Sequence, residues 1–342
     1  MSAAVKIDAP LVTTGLDVVP TAARALEEAG YDGVYTFEGP HDPFFPLVLA
    51  ADATERLDLA TAVAIAFARN PMTVANIAYD LQRLSAGRFA LGLGSQIKPH
   101  IEKRFSMPWS HPAPRMREFV VALRAIWTSW QESAPLRFEG DFYRHTLMTP
   151  FFDPGPNPFG LPRVWLAGVG PAMTEVSGEV GDGFIVHPFT TERYLREHLW
   201  PHLDRGLDRS GRTRADLEVS FPVMVVTGTT DDDRAAATLA TKAQIAFYGS
   251  TPAYRVVLEA HGWGDLQTEL NRLSKEGDWG AMAAAIDDEI LSTFAVQGTP
   301  REVAGAIAAR YGDVIDRVAF NTPYAVAPDT WAEVLDAFSA YR

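Results

Sequence analysis

The sequence predicts an α/β protein, a (β/α)8 TIM barrel with insertion segments, and three observations carry that expectation. Short apolar runs alternate with amphipathic helical stretches along nearly the whole chain. Eight of those runs read as strands, the number that closes a parallel barrel. The length of 342 residues falls within the range of one such barrel. A doubly wound open sheet is the alternative that the pattern alone leaves standing.

The elements follow in order. Val5–Ala9 reads as the first strand, and a helix follows from Pro20 to Ala29. That helix carries Ala22, Ala25, Leu26 and Ala29 on one face, and Gly30 closes it. Gly33–Phe37 is the second strand. Leu57–Ala66 is the third, long and apolar as a strand covered on both faces must be. Asn70-Pro71 then supplies an N-cap and a proline at the first helical position, with Val74, Ile77, Ala78, Leu81 and Leu84 at helical spacing. Phe89–Leu93 is the fourth strand. The helix after it, Arg115–Trp130, sets Met116, Phe119, Val120, Leu123, Ile126 and Trp130 on its buried stripe. Val164–Leu166, Phe184–Val186, Leu217–Val226 and Val314–Phe320 complete the strand set. Thr299-Pro-Arg-Glu302 is a capping box ahead of the last strand, and a final helix carries Trp331, Val334, Leu335, Phe338 and Tyr341. Two stretches interrupt the rhythm: a Pro/Phe-rich loop near 147–162 and a helical insertion near 248–297. No linker argues for a second domain, so residues 1–342 are expected to form a single barrel domain.

Composition narrows the function. The 30 basic against 43 acidic residues leave a net charge of −13, which opposes a phosphate backbone and argues against nucleic acid as a partner. The absence of cysteine excludes disulfides, thiolate metal sites and a cysteine nucleophile. The opening Met1-Ser-Ala-Ala-Val-Lys-Ile-Asp lacks the pattern of a signal peptide, and Leu59–Ala68 is too short to cross a bilayer. The expectation is a cytoplasmic protein with no membrane partner. No metal site is expected either. His198 and His202 are four apart, but Trp200-Pro201 between them should break the helix such a pair needs. Asp231-Asp232-Asp233 reads as a helix start, where the charges suit the dipole.

Three clusters could carry chemistry. Ala167-Gly168-Val169-Gly170-Pro171-Ala172-Met173 follows a strand and opens a helix. Its glycines let a ligand approach the backbone, and Pro171 leaves the amides of Ala172 and Met173 free to point at an anion. A tight turn that needs glycine for geometry alone explains the spacing equally well. Glu38-Gly-Pro-His41-Asp42 follows the second strand, at the face where barrel enzymes keep their catalytic groups. A carboxylate and an imidazole on one loop can share a proton, whereas a polar loop with a helix cap at Asp42 is the plainer account. Gly92-Leu-Gly94-Ser95-Gln96, with Lys98 and His100 beyond, follows the fourth strand and either admits a flat ring or eases packing.

Taken in order, these segments resemble the luciferase-like family, and within it the branch that uses the deazaflavin coenzyme F420. The match rests on Gly30-Tyr-Asp-Gly33, Glu38 to His41, Leu81-Gln-Arg-Leu-Ser-Ala-Gly-Arg-Phe89 and Leu91-Gly-Leu-Gly94. It continues through Gly168-Val-Gly-Pro-Ala-Met173, Gly178-Glu-Val-Gly-Asp-Gly183 and Gly298-Thr-Pro-Arg-Glu302. The resemblance implies a homodimeric TIM-barrel oxidoreductase that transfers hydride between the deazaflavin and a small-molecule substrate. An FMN-dependent monooxygenase is the second reading, and a flavin-binding protein without turnover the third. It further implies that Gly168, Val169, Gly170, Pro171, Ala172 and Met173 hold the cofactor phosphate, with His187 close by. A non-proline cis peptide at Ala62–Val63 is implied behind the ring, which Gly94 and Ser95 would also face. His41, Glu38 and His187 are then the catalytic candidates, with Glu38 either orienting His41 or acting as the acid. Phe67, Phe105, Trp109, Phe151 and Phe152 suggest an apolar or aromatic substrate. The lysines and arginine of a sugar-phosphate site are not evident in the sequence.

Overall fold

The structure is a computed structural model that describes residues 5–12 and 15–341. Its eight principal strands are β1 Lys6–Pro10, β2 Gly33–Thr36, β3 Asp58–Thr61, β4 Phe89–Gly94, β5 Arg163–Gly168, β6 Gly183–Val186, β7 Glu218–Val226 and β8 Arg317–Asn321. They pair in chain order, β8 pairs with β1, and β8 and β6 both flank β7, so the parallel sheet closes on itself as a (β/α)8 barrel. The eight strands read from the sequence are these eight, shifted by a few residues at their ends. The apolar stretch 57–66 is two pieces: β3 ends at Thr61, and Ala64–Ile65 resumes pairing against Leu93–Gly94 of β4. The Ala62–Val63 peptide between them is cis.

The chain divides into two compact units. The larger comprises Asp8–Ile185 and His202–Glu218. Inside it, Ala60, Ala90, Trp165 and Ile185 pack together from alternate positions of β3 to β6, the small alanines leaving room for the indole. The helices Pro71–Leu84 and Pro112–Glu132 cover the outside of its strands. Asn70 caps the first by accepting from Thr73 N at 3.0 Å. The second buries the stripe read from its sequence, including Met116, Phe119, Leu123 and Trp130. Each such side chain contributes roughly 1.5–3 kcal/mol of burial. The loop 147–162 is ordered: Asn157 is buried, donates to Tyr79 O at 3.1 Å, and its own N–H donates to Gln131 Oε1 at 3.0 Å. A hairpin, Phe138–Glu139 with Arg144–His145, was not apparent from the sequence.

The smaller unit comprises Val186–Pro201, Val219–Arg342 and the first residues of the chain. Asp231 opens the helix Asp231–Gly249, with Thr230 and Asp233 forming a capping box. Thr299 and Glu302 form the one expected before β8, at the start of the helix Pro300–Tyr311. The helical insertion consists of Arg255–Glu259, Gly264–Glu276, Trp279–Ala284 and Asp288–Phe294. It returns through a short strand, Ala295–Gln297, that pairs in parallel with β7.

One local expectation is corrected. Pro201 does not break its helix. Residues Leu195–Leu199 adopt a π-helical turn and pass straight into Trp200–Ser210. The wider turn suits a proline, which has no N–H to return.

Candidate active site

The loop after β2 is organised around a carboxylate. Glu38 Oε2 accepts from the backbone N–H of Ile65 at 2.7 Å and from Arg69 Nη1 at 2.6 Å. Arg69 Nη2 also donates to Asp42 Oδ2 at 3.0 Å, while Asp42 Oδ1 accepts from Phe44 N at 2.8 Å where the helix Phe44–Ala53 begins. Glu38 N donates to Val63 O at 3.1 Å, and Ala62 N donates to Thr36 O at 2.6 Å. Thr36 and Glu38 together therefore tie down the two ends of the Ala62–Val63 bulge. The Glu38 side chain is 7% exposed and its charge is spent on Arg69. Among the described residues no hydrogen bond joins it to His41.

On the other side of the bulge stands the small-residue segment of β4. A Cβ on Gly92 would lie 1.7 Å from Thr61 O, and one on Gly94 would lie 2.7 Å from a methyl of Val63. Thr61 Oγ1 repairs the interrupted ladder, donating to Gly92 O at 2.7 Å and accepting from Gly92 N at 2.9 Å. Close backbone approach thus accounts for Gly92. Ser95, half-buried, donates only to Gln96 O at 3.2 Å.

The turn after β5 separates its two glycines. A Cβ on Gly168 would come within 3.2 Å of Met173 Cβ and 3.3 Å of Thr174 N, so tight packing gives glycine a structural reason there. Gly170 has an ordinary φ of −87°, and a Cβ on it would meet nothing within 4 Å. Neither strain nor crowding accounts for it. It is the N-cap of Pro171–Val180 without a side-chain cap, and Pro171 and Ala172 beside it are exposed. The helix therefore opens with uncapped amides facing space, the arrangement that receives an anion.

His41 is exposed and lines a cavity of about 490 Å³ at the ends of β1 and β2. Leu11, Leu16, Phe37, Pro40, Phe45 and Pro46 contribute apolar surface to its wall, and among the described lining residues the only other ionisable group is Asp42. That volume suits a small organic molecule.

His187, directly after β6, is engaged at both nitrogens. Phe189 N donates to Nδ1 at 3.0 Å, and Nε2 lies 3.0 Å from the Tyr254 hydroxyl. Burial pushes the imidazole down to about 4, which keeps it neutral. Burial, aided by the nearby Tyr248, pushes the Tyr254 phenol up to about 12.

The chain matches the family described as luciferase-like monooxygenase over residues 1–317. It belongs to that family. It is 61% identical over 297 residues to an uncharacterized protein of Mycobacterium tuberculosis, covering 87% of each chain. It is 30% identical over 341 residues to the F420-dependent glucose-6-phosphate dehydrogenase of Intrasporangium calvum, covering 95% of this chain and 92% of that one. Among solved structures it matches the coenzyme F420-dependent tetrahydromethanopterin reductase of Methanopyrus kandleri with a TM-score of 0.80 at 19% identity, over 99% of this chain and all of the other.

In this luciferase-like oxidoreductase the larger unit alone brings together Glu38, His41, Ala62, Val63 and the Gly94–Ser95 segment around the ends of β2 to β4. The aromatic residues named from sequence take other roles. Phe67 is fully buried, meets Trp109 edge-on at 5.7 Å and carries the Arg115 guanidinium 4.6 Å above its ring. Phe105 packs against the same core. Phe151 and Phe152 are 89% and 69% exposed. Sequence reasoning missed Arg69, whose partners lie 27 and 31 residues away, and Tyr254, whose place beside His187 needs the insertion to fold back. Among the described residues no cluster of His, Asp or Glu could hold a metal, and no helix is long and apolar enough to cross a membrane.

Proposed function

We propose that the chain is an F420-dependent oxidoreductase that transfers hydride between the deazaflavin and a small, uncharged, largely apolar substrate. The observation that carries this reading is the uncapped, open turn at Gly170, in a chain whose named relatives include F420-dependent enzymes. The residues fit such a cofactor. The amides of Gly170, Ala172 and Met173 would receive its phosphate, and Ala62, Val63, Gly94 and Ser95 would line its ring. When bound, the deazaflavin supplies a carbon that gives or takes hydride.

The chain's own residues do the rest. Glu38, anchored by Arg69, fixes the Ala62–Val63 bulge and so the wall against which the ring rests. His41 moves the proton at the substrate heteroatom, because its exposed imidazole lines the cavity and, among the described residues, no hydrogen bond holds it. The apolar wall around it favours an apolar substrate. The same family resemblance extends the reading to a cytoplasmic homodimer. The helix Phe44–Ala53 supports the dimer, since Phe45 and Val48 are 62% and 40% exposed on a segment with almost no polar residue.

Paired titrations of the cofactor-free protein with F420 and with FMN test the cofactor. Tight binding of F420 and weak binding of FMN is the expected result. Preference for FMN would move the chain to the monooxygenase reading, which the family's description keeps as the second one.

A further inference from the structure

The smaller unit holds a cavity of its own, of about 250 Å³, at the C-terminal ends of β7 and β8. Two buried hydroxyls line it without partners. Thr227, directly after β7, is 1% exposed, and its Oγ1 makes no hydrogen bond among the described residues. Thr330, in the first turn of the helix Pro328–Phe338, is 3% exposed, and its hydroxyl likewise makes none among the described residues. A buried hydroxyl left unpaired costs about 1–3 kcal/mol, so two on one wall call for a partner that enters from the cavity. Tyr324, which also lines it, is already committed: its hydroxyl donates to Val225 O at 2.9 Å and accepts from Thr227 N at 3.0 Å. Those two bonds pin the segment after β8 to the end of β7 and fix the backbone that bears the Thr227 hydroxyl.

Charge restricts what can enter. Among the described lining residues there is no lysine, arginine or histidine, and the one carboxylate, Asp233, stands exposed at the rim. Asp329 adds a second carboxylate in the first turn of Pro328–Phe338, where it already answers the positive end of that helix. An anion would therefore meet like charge with no cation to pair with it. A cation gains little, because Asp233 is solvated and its Oδ2 already accepts from Thr230 N, Thr230 Oγ1 and Thr229 Oγ1. Burial pushes the Tyr324 phenol up to about 12, so it adds no charge in the neutral range. The rest of the wall includes Ala236, Ala325, Val326 and Ala327, which offer small apolar surface. The volume equals that of roughly eight waters, which suits a molecule of a few heavy atoms.

We propose that this cavity is a binding site for a small uncharged molecule with a hydroxyl or carbonyl oxygen on a compact apolar body, and that Thr227 and Thr330 are its hydrogen-bonding partners. The site is built wholly from residues of the smaller unit and stands independently of the F420 reading.

The test uses probes that share one apolar body and differ in charge: tert-butanol, tert-butylammonium and pivalate. Each is titrated into the full chain, with and without F420, while the methyl groups of Thr227, Val326 and Thr330 are followed by NMR. tert-Butanol should shift these methyls saturably, and the two ions should bind about tenfold more weakly or worse, because each must shed water from its charge. Thr227→Val keeps the shape and removes the hydroxyl. It should weaken tert-butanol by about threefold to tenfold, the worth of one net hydrogen bond, while its urea midpoint stays level or rises. Thr330→Val should weaken binding to a similar extent. Absence of a saturable shift with tert-butanol, an ion that binds as tightly, or unchanged affinity in either folded variant would overturn the proposal. So would a lower urea midpoint in Thr227→Val, which would mean that the hydroxyl is bonded within the protein.

Discussion

Gly170→Asp should raise stability and lower cofactor affinity at once, and the opposed signs make it a sharp test of the phosphate turn. The backbone at Gly170 already has φ −87° and ψ 160°, which any residue adopts, and its Cβ would meet nothing within 4 Å. Aspartate is a better N-cap than glycine by a few tenths of a kcal/mol, and its charge at the helix start adds about 0.3–1 kcal/mol. The folded protein should therefore gain roughly 0.5–1 kcal/mol. The same carboxylate would occupy the amides meant for the phosphate and repel it. At about 5 Å, two unit charges repel by about 0.8 kcal/mol at the permittivity of water and by about 3 kcal/mol at an effective permittivity near 20. The dissociation constant for F420 should rise between about fourfold and 200-fold. Fluorescence titration of F420 gives the affinity, and urea unfolding gives the stability. Gly170→Asn, which caps without the charge, should fall well short of the aspartate in its effect on binding. Unchanged affinity in a folded Gly170→Asp protein would refute the assignment, as would an affinity loss matched by a loss of stability.

Three further outcomes are expected. His41→Ala should lower turnover by about 10² to 10⁴ with F420 affinity nearly unchanged, measured by steady-state kinetics once a substrate is in hand; wild-type turnover would remove His41 from the chemistry. Glu38→Gln should destabilise the fold by about 1–3 kcal/mol in urea unfolding, because Arg69 loses one of its two charged partners, the one whose side chain is 7% exposed; an unchanged midpoint would mean that the bulge does not depend on this pair. His187 has a folded value near 4 against an unfolded value near 6.5, so the unfolded chain binds more protons between the two and stability rises with pH there. Its contribution, up to about 3 kcal/mol, is complete above pH 6.5 and is lost as the pH falls towards 4, and His187→Gln should flatten that slope.

The fold was legible because its signals are local and repeat. Each strand is a short apolar run, the caps at Asn70 and Thr299 form where the sequence puts them, and a helix starts at Asp231 as the acidic run suggests. The helix Phe44–Ala53 escaped notice because Phe44-Phe45-Pro46-Leu47 has no polar face to mark a helical period. The continuation through Pro201 escaped for a related reason, since the π-turn that accommodates it leaves no compositional trace. The site was legible in part. Residues contributed by loops, such as His41 and Gly170, sit at predictable strand ends. Their partners come from elsewhere in the chain, and spacing cannot announce them. Glu38 looked like a companion of His41 because the two are neighbours in sequence, yet its carboxylate turns to Arg69 and Ile65.

The pairing of Glu38 and Asp42 with Arg69 also bears on what the cavity beside His41 can accept. Arg69 is the cation nearest these carboxylates, and both of its terminal nitrogens are committed to them. The residues lining the cavity include no lysine or arginine, and their one fixed charge is the Asp42 carboxylate. A phosphorylated substrate would bring a dianion beside the Asp42 carboxylate, whose charge Arg69 already shares, and among the described lining residues no further cation stands in the wall to pair with the phosphate. Taking a phosphate out of water against a largely apolar wall with no cation to pair with it costs on the order of several kcal/mol. The glucose 6-phosphate of the Intrasporangium calvum relative is therefore a poor candidate for this cavity, although the two chains align over 341 residues. A neutral molecule that presents carbon to Leu11, Phe37 and Phe45 and one polar atom to His41 meets no such penalty. A screen of ketones and alcohols against their phosphorylated counterparts should return activity only among the uncharged compounds. Turnover of glucose 6-phosphate at a rate comparable with the best neutral substrate would show that the charge of this cavity does not govern selection.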